Sequence, residues 1–279
     1  MTRTVAGRMR LDAALVERGL LPTRAKAQAA VLAGEVYVDG ERAAKAGTPV
    51  PPEARLEVRS GRPRFVSRGG LKLDHALDVF GLDVAGLRAA DIGSSTGGFT
   101  DCLLARGAVR VHAVDVGTGQ LDWSLRSDPR VVSLEQQDVR DLDPAALGGP
   151  VDLATVDVSF ISLGRVLPAV RALVRSGGHV VALVKPQFEA GPKAAKRGVV
   201  RDAAIHREVL ERVGRQAEEA GFSILGVTYS PIAGPDGNLE FFFHLGIGPH
   251  SGRAIAGAVD IEAVVNAAHD TIPRKGVRS

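Results

Sequence analysis

The sequence is poor in cysteine and in aromatic residues. Among 279 residues there is one cysteine, Cys102, so an intramolecular disulfide and a cysteine-rich metal site are both excluded. The seven histidines lie scattered without the spacing of metal ligands, and we therefore expect no bound metal. Aromatic residues make up 4% of the chain and hydrophobic residues 45%, so Ala, Val and Leu must build the core.

The sequence also lacks long apolar runs. No stretch approaches the ~18 consecutive apolar residues that a membrane span requires. The first ten residues carry three arginines and lack the apolar middle region of a secretory signal. We therefore expect a cytoplasmic protein.

Positive charge is concentrated near the N-terminus. The net charge is +3, yet residues 1–70 hold 13 Lys and Arg against 7 Asp and Glu, and the rest holds 22 against 25. This asymmetry favours a polyanionic partner, such as nucleic acid, for the basic segment. A solvated surface would account for the same charges, and charge alone does not separate the two interpretations.

The N-terminal segment has the pattern of a small α+β module. Apolar spacing predicts a helix over residues 10–20, and Thr23 is placed to cap a second helix over residues 24–33. EVYVDG predicts a short strand that ends in an Asp39-Gly40 turn, and RLEVRS predicts another strand. A module of this size has a thin core and is better suited to presenting a surface than to enclosing a pocket.

The rest of the chain alternates strands with helices. LRAADIG, VRVHAVDVG, VDLATVDVSF and HVVALVKPQF predict buried strands, which indicates an α/β domain with a parallel sheet covered on both faces. SILGVTYSPI and NLEFFFHLG follow each other without a helix and predict a hairpin-like pair. We assign residues 1–60 to the small domain, 61–66 to a linker and 67–279 to the α/β domain.

A glycine-rich loop, DIGSSTGGFT, follows the first strand of the α/β domain. Its glycines let the backbone turn sharply and approach a ligand, although a simple tight connection would use the same residues. The spacing is not GxGxxG, and no Lys-Ser/Thr pair follows, so neither a dinucleotide nor a P-loop is favoured. The predicted cofactor residues in this loop are Asp91, Gly93, Ser94, Ser95, Gly97, Gly98, Phe99 and Thr100.

Acidic residues also end the next two strands. Asp115 is placed to accept hydrogen bonds from ribose hydroxyls, and Asp138 lies where an adenine would bind. Each acid alone could be a helix cap or a surface charge. The ordered set suits an adenosine cofactor without a pyrophosphate, and S-adenosylmethionine is the obvious candidate. The predicted cofactor site therefore also includes Asp115, Val116, Asp138, Val139 and Asp157.

Four charged residues occupy positions where a core would have none. Lys72 lies within a predicted helix, Asp157 and Lys185 end apolar strands, and Glu240 precedes a run of phenylalanines. Buried charges are costly unless they are paired. A structural ion-pair network and an active site both fit this pattern, and packed charged groups are typical of active sites.

The order of these four residues resembles the K-D-K-E tetrad of the FtsJ-like ribose 2′-O-methyltransferases. The segments SRGGLKL, DIGSSTGGFTDCLL, VDVGTGQL, VDVSFISL, LVKPQFE, RGVVRD and GPDGNLEFF are similar to the TlyA family of rRNA cytidine-2′-O-methyltransferases, often called hemolysin A. TRAKAQAAVLAGEVYVDG resembles that family's S4-like RNA-binding domain. Together the similarity covers residues 10–245.

The resemblance implies a class I Rossmann-like methyltransferase domain behind an S4-like domain. It implies methyl transfer from S-adenosylmethionine to cytidine ribose in ribosomal RNA. Residues before the first helix and a helical tail after residue 250 resemble the longer subtype, which modifies both 16S and 23S rRNA. Lys185 is then the general base or the group that stabilises the alkoxide, Asp157 orients it, and Lys72 and Glu240 position the ribose.

The same resemblance implies contacts with RNA phosphates. We expect these contacts from Arg24, Lys26, Arg42, Lys45, Arg62 and Arg64. We expect a monomer. The alternative is an RNA-binding ribosome-assembly factor with an inactive methyltransferase fold. A pseudouridine synthase, which also carries an S4-like domain, would leave the glycine loop without a purpose, and a pore-forming hemolysin would need a membrane-active segment that we do not find.

Overall fold

The computed structural model describes residues 9–32, 34–58, 64–191, 194–195, 198–248 and 260–272. The chain divides into two compact units, with the boundary between Arg64 and Phe65. Phe65 and Val66, which the sequence assigns to the linker, pack into the core of the second unit because both side chains are apolar.

The first unit is a small α+β module. Asp39 and Gly40 both have positive φ, 52° and 86°, as the predicted two-residue hairpin turn requires. The Thr23 hydroxyl accepts a hydrogen bond from the Lys26 backbone N–H at 3.2 Å, which is the predicted helix cap. Its described elements are β1 (Met9–Arg10), α1 (Leu11–Glu17), α2 (Arg24–Leu32), β2 (Val36–Val38), β3 (Glu41–Arg42), β4 (Pro49–Val50) and β5 (Leu56–Val58).

The sheet order in this unit is β3-β2-β5, and β1 pairs with β4. β4 lies within residues 43–53, which contain Gly47 and three prolines and are predicted as loop. Its two residues pair with β1, and a strand of two residues is too short to give a recognisable sequence pattern. The core consists of aliphatic side chains from both helices and from β2, β4 and β5.

The second unit is an α/β domain. Its described helices are α3 (Gly69–Phe80), α4 (Gly98–Ala105), α5 (Trp123–Arg126), α6 (Leu163–Leu173), α7 (Pro186–Glu189), α8 (Ala203–Glu219) and α9 (Ile261–Thr271). Its described strands are β6 (Arg88–Ile92), β7 (Arg110–Val114), β8 (Val131–Leu134), β9 (Val151–Val156), β10 (Val174–Val184), β11 (Ser223–Tyr229) and β12 (Phe241–Gly246).

These strands form one sheet in the order β11-β12-β10-β9-β6-β7-β8. β8, β7, β6, β9 and β10 are parallel, whereas β12 runs antiparallel between β10 and β11, so the predicted hairpin-like pair is confirmed. The chain runs from β6 outward to β8 and then returns to β9 beside β6. This change of direction opens a crevice at the carboxyl ends of β6 and β9, where ligands of such sheets bind.

Helices cover both faces of the sheet. One hydrophobic cluster joins it to α6, α8 and α9, and a second joins it to α3 and α4. The apolar spacing predicts a helix over residues 69–80 with Leu71 facing inward, but Leu71 is 40% exposed. It lies two residues before Leu73, on the opposite side of α3, and Lys72 is buried instead. Among the described helices, none is long and apolar enough to cross a membrane.

Candidate active site

The glycine loop closes over the crevice between β6 and β9. Gly93 has φ +80°, and a Cβ at this position would lie 2.4 Å from the backbone oxygen of Asp157. The Asp157 backbone N–H donates to the Ile92 carbonyl at 2.8 Å, so the ends of the two strands are in direct contact. Only glycine fits this conformation and this approach.

Some of the predicted cofactor residues lie beneath the loop. Asp91 is fully buried and accepts hydrogen bonds from the hydroxyls of Thr100 and Thr155, at 2.7 and 2.9 Å. Burial raises the pKa of Asp91 to about 6, and the two hydroxyl hydrogen bonds oppose that shift. Gly97, with φ +93°, lies against Leu121 and Leu125. Through these contacts Asp91, Thr100 and Gly97 hold the loop in place, and the three residues do not line the two cavities of the site.

Two cavities, of about 260 and 350 Å³, share Gly93, Ser95 and Asp157 in their walls. The predicted residues in the smaller cavity are Lys72, Ser94, Gly98 and Phe99. Those in the larger cavity are Asp115, Val116, Asp138 and Val139. The larger cavity combines carboxylates with apolar walls, as a nucleoside requires, while the smaller one offers backbone and charged groups to an amino-acid end. The residues present therefore fit S-adenosylmethionine.

Asp115 holds the edge of the larger cavity. Its carboxylate accepts hydrogen bonds from the backbone N–H groups of Ser95 and Gly117, at 2.8 and 2.7 Å. These bonds fix the carboxylate between the glycine loop and the turn after β7. Since a carboxylate has about four acceptor positions, it can still receive two ribose hydroxyls.

Asp138 has a second role beside the same cavity. Its carboxylate caps the short helical turn Val139–Asp141 and pairs with the Arg140 guanidinium at 2.6 Å. The Arg140 hydrogen bond, together with the backbone one, lowers the pKa of Asp138 to about 2. The acid is therefore ionised and held in place where it lines the cavity.

The four charged residues form two lysine–carboxylate pairs. Lys72 Nζ lies 2.5 Å from Glu240 Oε2, and Lys185 Nζ lies 2.5 Å from Asp157 Oδ1. The two pairs lie near each other, because the charges of Lys72, Asp157 and Lys185 each affect the pKa of Glu240. The predicted charged tetrad is thus brought together in space.

Glu240 is the most deeply buried member. Burial raises the pKa of its carboxyl group above the usual value, and the charge of Lys72 opposes this rise. Oε2 receives the Lys72 hydrogen bond, while Oε1 is buried with no hydrogen-bond partner in the described part of the chain. Gly234, in the wall of the smaller cavity, leaves room for Oε1, since a Cβ there would lie 2.1 Å from it.

Several residues that line the site were not predicted from the sequence. Ser159 accepts a hydrogen bond from Lys185 Nζ at 2.8 Å and lines the larger cavity. Phe160, beside it, is 90% exposed with φ +64°, and its ring lies 4.8 Å from that of Phe188. The available signal was the segment VDVSFISL, in which an aromatic residue follows Asp157 by three positions. Arg68 and Gln120 also line the cavities, and the signal for both was their place in the segments SRGGLKL and VDVGTGQL.

In the first unit, the predicted RNA-binding residues Arg24, Lys26, Arg42 and Lys45 are exposed. Arg24 and Arg10 both pair with Asp12, which is fully buried and also accepts a hydrogen bond from Gln28. The Arg10 hydrogen bond, followed by that of Gln28, lowers the pKa of Asp12 well below its usual range. Arg64, at the boundary, is exposed, and Arg62 lies outside the described residues.

The family models agree with this division. Residues 65–247 match the FtsJ-like methyltransferase family, and residues 9–56 match the S4 domain. Fold and site therefore define a methyltransferase that takes its methyl group from S-adenosylmethionine.

Individual relatives narrow this class. The chain is 48% identical over 243 residues to the 16S/23S rRNA (cytidine-2′-O)-methyltransferase TlyA of Mycobacterium tuberculosis, covering 86% of this chain and 91% of the relative. It is 38% identical over 238 residues to Hemolysin A of Brachyspira hyodysenteriae, covering 85% and 99%. The structure of a candidate hemolysin from Streptococcus thermophilus superposes with a TM-score of 0.73 at 45% identity, covering 95% and 97%. The chain belongs to the TlyA family of FtsJ-like methyltransferases.

Proposed function

We propose that this chain methylates the ribose 2′-hydroxyl of cytidines in ribosomal RNA. The observation that carries the proposal is the pair of lysine–carboxylate contacts beside the glycine loop, in one crevice. A ribose hydroxyl is a weak nucleophile, and its proton must be held or removed by a positioned group. A relative in Mycobacterium tuberculosis is named for 2′-O-methylation of cytidine in both 16S and 23S rRNA.

Within this proposal, Lys185 handles the acceptor proton. S-adenosylmethionine, when bound, supplies an electrophilic methyl group. As a neutral amine, Lys185 Nζ accepts the 2′-hydroxyl proton, and as an ammonium it stabilises the developing alkoxide. Asp157 fixes Nζ in both cases through their 2.5 Å contact.

Lys72 and Glu240 position the ribose of the acceptor. Oε1 of Glu240 is buried without a hydrogen-bond partner among the residues described, and such an acceptor is costly unless a ligand supplies a donor. Gly234 and Lys72 line the smaller cavity next to it. Glu240 holds Lys72 through Oε2, and Lys72, which reaches the cavity wall, is the group that holds the acceptor ribose close to Lys185.

RNA recognition is assigned to exposed cations of the first unit, in particular Arg24, Lys26, Arg42 and Lys45. Such contacts give affinity and salt dependence more than sequence choice, so folded rRNA in a subunit is a better substrate than an oligonucleotide. We further propose that both the small and the large subunit are substrates, and that the protein acts in the cytoplasm as a monomer.

The test is methyl transfer from labelled S-adenosylmethionine to unmethylated small and large ribosomal subunits, assayed separately. We expect label on both subunits, at cytidine 2′-hydroxyls. Lys185→Ala is expected to abolish transfer while the dissociation constant for the cofactor stays within about threefold, because Lys185 is not assigned to cofactor binding.

The outcomes separate the parts of the proposal. Label on the large subunit alone would retain the activity and reject the dual substrate. Cofactor binding without transfer to either subunit would favour an RNA-binding assembly factor instead. Loss of cofactor affinity in Lys185→Ala would reject the role given to Lys185.

A further inference from the structure

We propose that Ser159 is a positioning residue for Lys185 and that it belongs functionally with the four charged residues. The inference rests on the proposed function, since it concerns the same reaction centre. Ser159 follows Asp157 by two residues in the loop after β9, and its hydroxyl oxygen lies 2.8 Å from Lys185 Nζ. Asp157 Oδ1 lies 2.5 Å from the same nitrogen.

Two contacts restrict Nζ more than one contact does. A lysine side chain has four rotatable bonds, and a single ion pair sets a distance without setting the direction of Nζ. Asp157 and Ser159 belong to one short loop, so the two contacts with the nitrogen come from the same segment. The other end of this loop is fixed as well, because Glu189 accepts hydrogen bonds from the Ser162 hydroxyl and the Leu163 backbone N–H, both at 2.8 Å.

The geometry of the nitrogen explains why the second contact matters. Besides its bond to Cε, a tetrahedral Nζ has three positions, which hold either three protons or two protons and a lone pair. Ser159 takes the hydrogen bond from one of them, and the Asp157 carboxylate attracts the nitrogen as a charge 2.5 Å away. A further position is left for the acceptor hydroxyl, whether it holds the lone pair of a base or the proton of an ammonium. Ser159 therefore directs Lys185 under either form of the mechanism.

The location of Ser159 agrees with this role. Ser159 lines the larger cavity, Asp157 lines both cavities, and Lys72, the partner of Glu240, lines the smaller one. Lys72 and Glu240 contact each other at 2.5 Å, so they hold the opposite side of the centre. Among the described side chains near Lys185 Nζ, Ser159 provides the neutral oxygen and Asp157 the charged one.

The test compares Ser159→Ala with Ser159→Thr, which keeps the hydroxyl. Single-turnover transfer to the ribosomal subunit that the wild type labels best should fall about tenfold in Ser159→Ala, as expected for a misdirected catalytic group, and stay near wild type in Ser159→Thr. Cofactor affinity should change little in both variants. The pH at which the rate is half-maximal should move in Ser159→Ala only, which a purely structural role would not cause.

A second readout does not depend on methyl transfer. Cyanate carbamylates free lysine amines, and the rate at Lys185 can be followed by peptide mass mapping of the full-length protein. We expect carbamylation to be about threefold faster in Ser159→Ala, because Nζ loses one covering hydrogen bond, and unchanged in Ser159→Thr. Ser127→Ala is the control, since it removes an exposed serine hydroxyl that bonds the Trp123 and Ser124 carbonyls, outside the two loops of the reaction centre.

The results lead to distinct conclusions. Equal carbamylation rates in wild type and Ser159→Ala, or equal acceleration in Ser127→Ala, would overturn the role of Ser159. If Ser159→Ala lost cofactor affinity and nothing else, Ser159 would only line the cavity, and the proposal would also be overturned. If the wild type labelled neither subunit, the proposed function would fail, and the carbamylation rates would still decide the contact with Lys185.

Discussion

Among the glycines of the loop, Gly93 is the one whose replacement the structure tolerates least. Its φ of +80° and the 2.4 Å approach of a Cβ to the Asp157 backbone oxygen act together. We predict that Gly93→Ala weakens S-adenosylmethionine binding at least about tenfold, because β6 and β9 must separate where the two cavities meet. Calorimetric titration of the cofactor measures this effect.

Gly86→Ala is the matched control for that variant. Gly86 has nearly the same φ, +77°, but nothing lies within 4 Å of a Cβ there. It should lose about 1 kcal/mol of unfolding free energy from backbone strain and bind the cofactor normally. Equal loss of affinity in both variants would mean that backbone strain, and not the contact with Asp157, causes the effect.

His112 gives the α/β domain a dependence on pH. The side chain is 4% exposed in β7, and neither ring nitrogen has a hydrogen-bond partner among the described residues. Burial, followed by the charges of Arg88 and Arg110, lowers the pKa of His112 to about 4. The unfolded chain takes up a proton near pH 6.5 and the folded one only near pH 4, so stability is full above 6.5 and falls as the pH drops through this range.

We predict that His112→Leu removes this part of the pH dependence, which amounts to at most roughly 3 kcal/mol. Urea unfolding of both proteins between pH 4 and pH 7 measures it. Asp91 acts with the opposite sign, because its raised pKa of about 6 favours the folded state as the pH falls. Asp91 is present in both proteins, so its contribution cancels when the unfolding free energy of His112→Leu is subtracted from that of the wild type at each pH. If the two unfolding free energies changed with pH in parallel, the role of His112 would be contradicted.

At the scale of elements, the start of α6 is held by a residue from another segment. Glu189, at the end of α7, accepts from the Ser162 hydroxyl and the Leu163 N–H, while its carbonyl accepts from Arg212 on α8 at 2.7 Å. Both loops that carry the reaction centre therefore meet here: the one after β9 with Asp157 and the one after β10 with Lys185.

We predict that Glu189→Ala lowers the free energy of unfolding by about 1–2 kcal/mol, since it leaves a helix N-terminal N–H without its acceptor. The rate of methyl transfer should fall in the same variant. Glu189→Gln keeps an acceptor for Leu163 and should lose less of both. A Glu189→Ala protein with wild-type unfolding and rate would show that α6 and the two loops do not need this residue.

At the scale of the whole molecule, the first unit supplies cations and the second supplies the reaction centre. Each cation on an RNA phosphate contributes ~0.7–0.9 to the slope of log affinity against log salt. We predict that Lys26→Ala with Lys45→Ala lowers the slope for subunit binding by about 1.5, because both side chains are exposed in the first unit.

Binding is measured by filter retention of labelled subunits at several salt concentrations. Arg130→Ala serves as the control, because its guanidinium is paired with Asp128 at 2.7 Å in the second unit. An unchanged slope in the double variant, or an equal loss in the control, would remove the first unit's cations from the RNA contact.

The sequence alone determined the order of elements, the glycine loop and the identity of the charged residues. Glycine conformations, helix caps and strand-end positions are local consequences of residue type, so the Asp39-Gly40 turn and the Thr23 cap were predicted correctly. The family motifs are local as well, which is why the two-domain division and the tetrad could be read from the chain.

The tertiary structure decided which of those residues meet. The pairing of Lys72 with Glu240 joins residues 168 positions apart, and it depends on β12 inserting beside β10. The structure also placed Asp91 and Thr100 beneath the loop, buried Asp12 between two arginines, and set Ser159 against Lys185. Packing between distant segments determines burial and side-chain direction, and no local pattern encodes either of them.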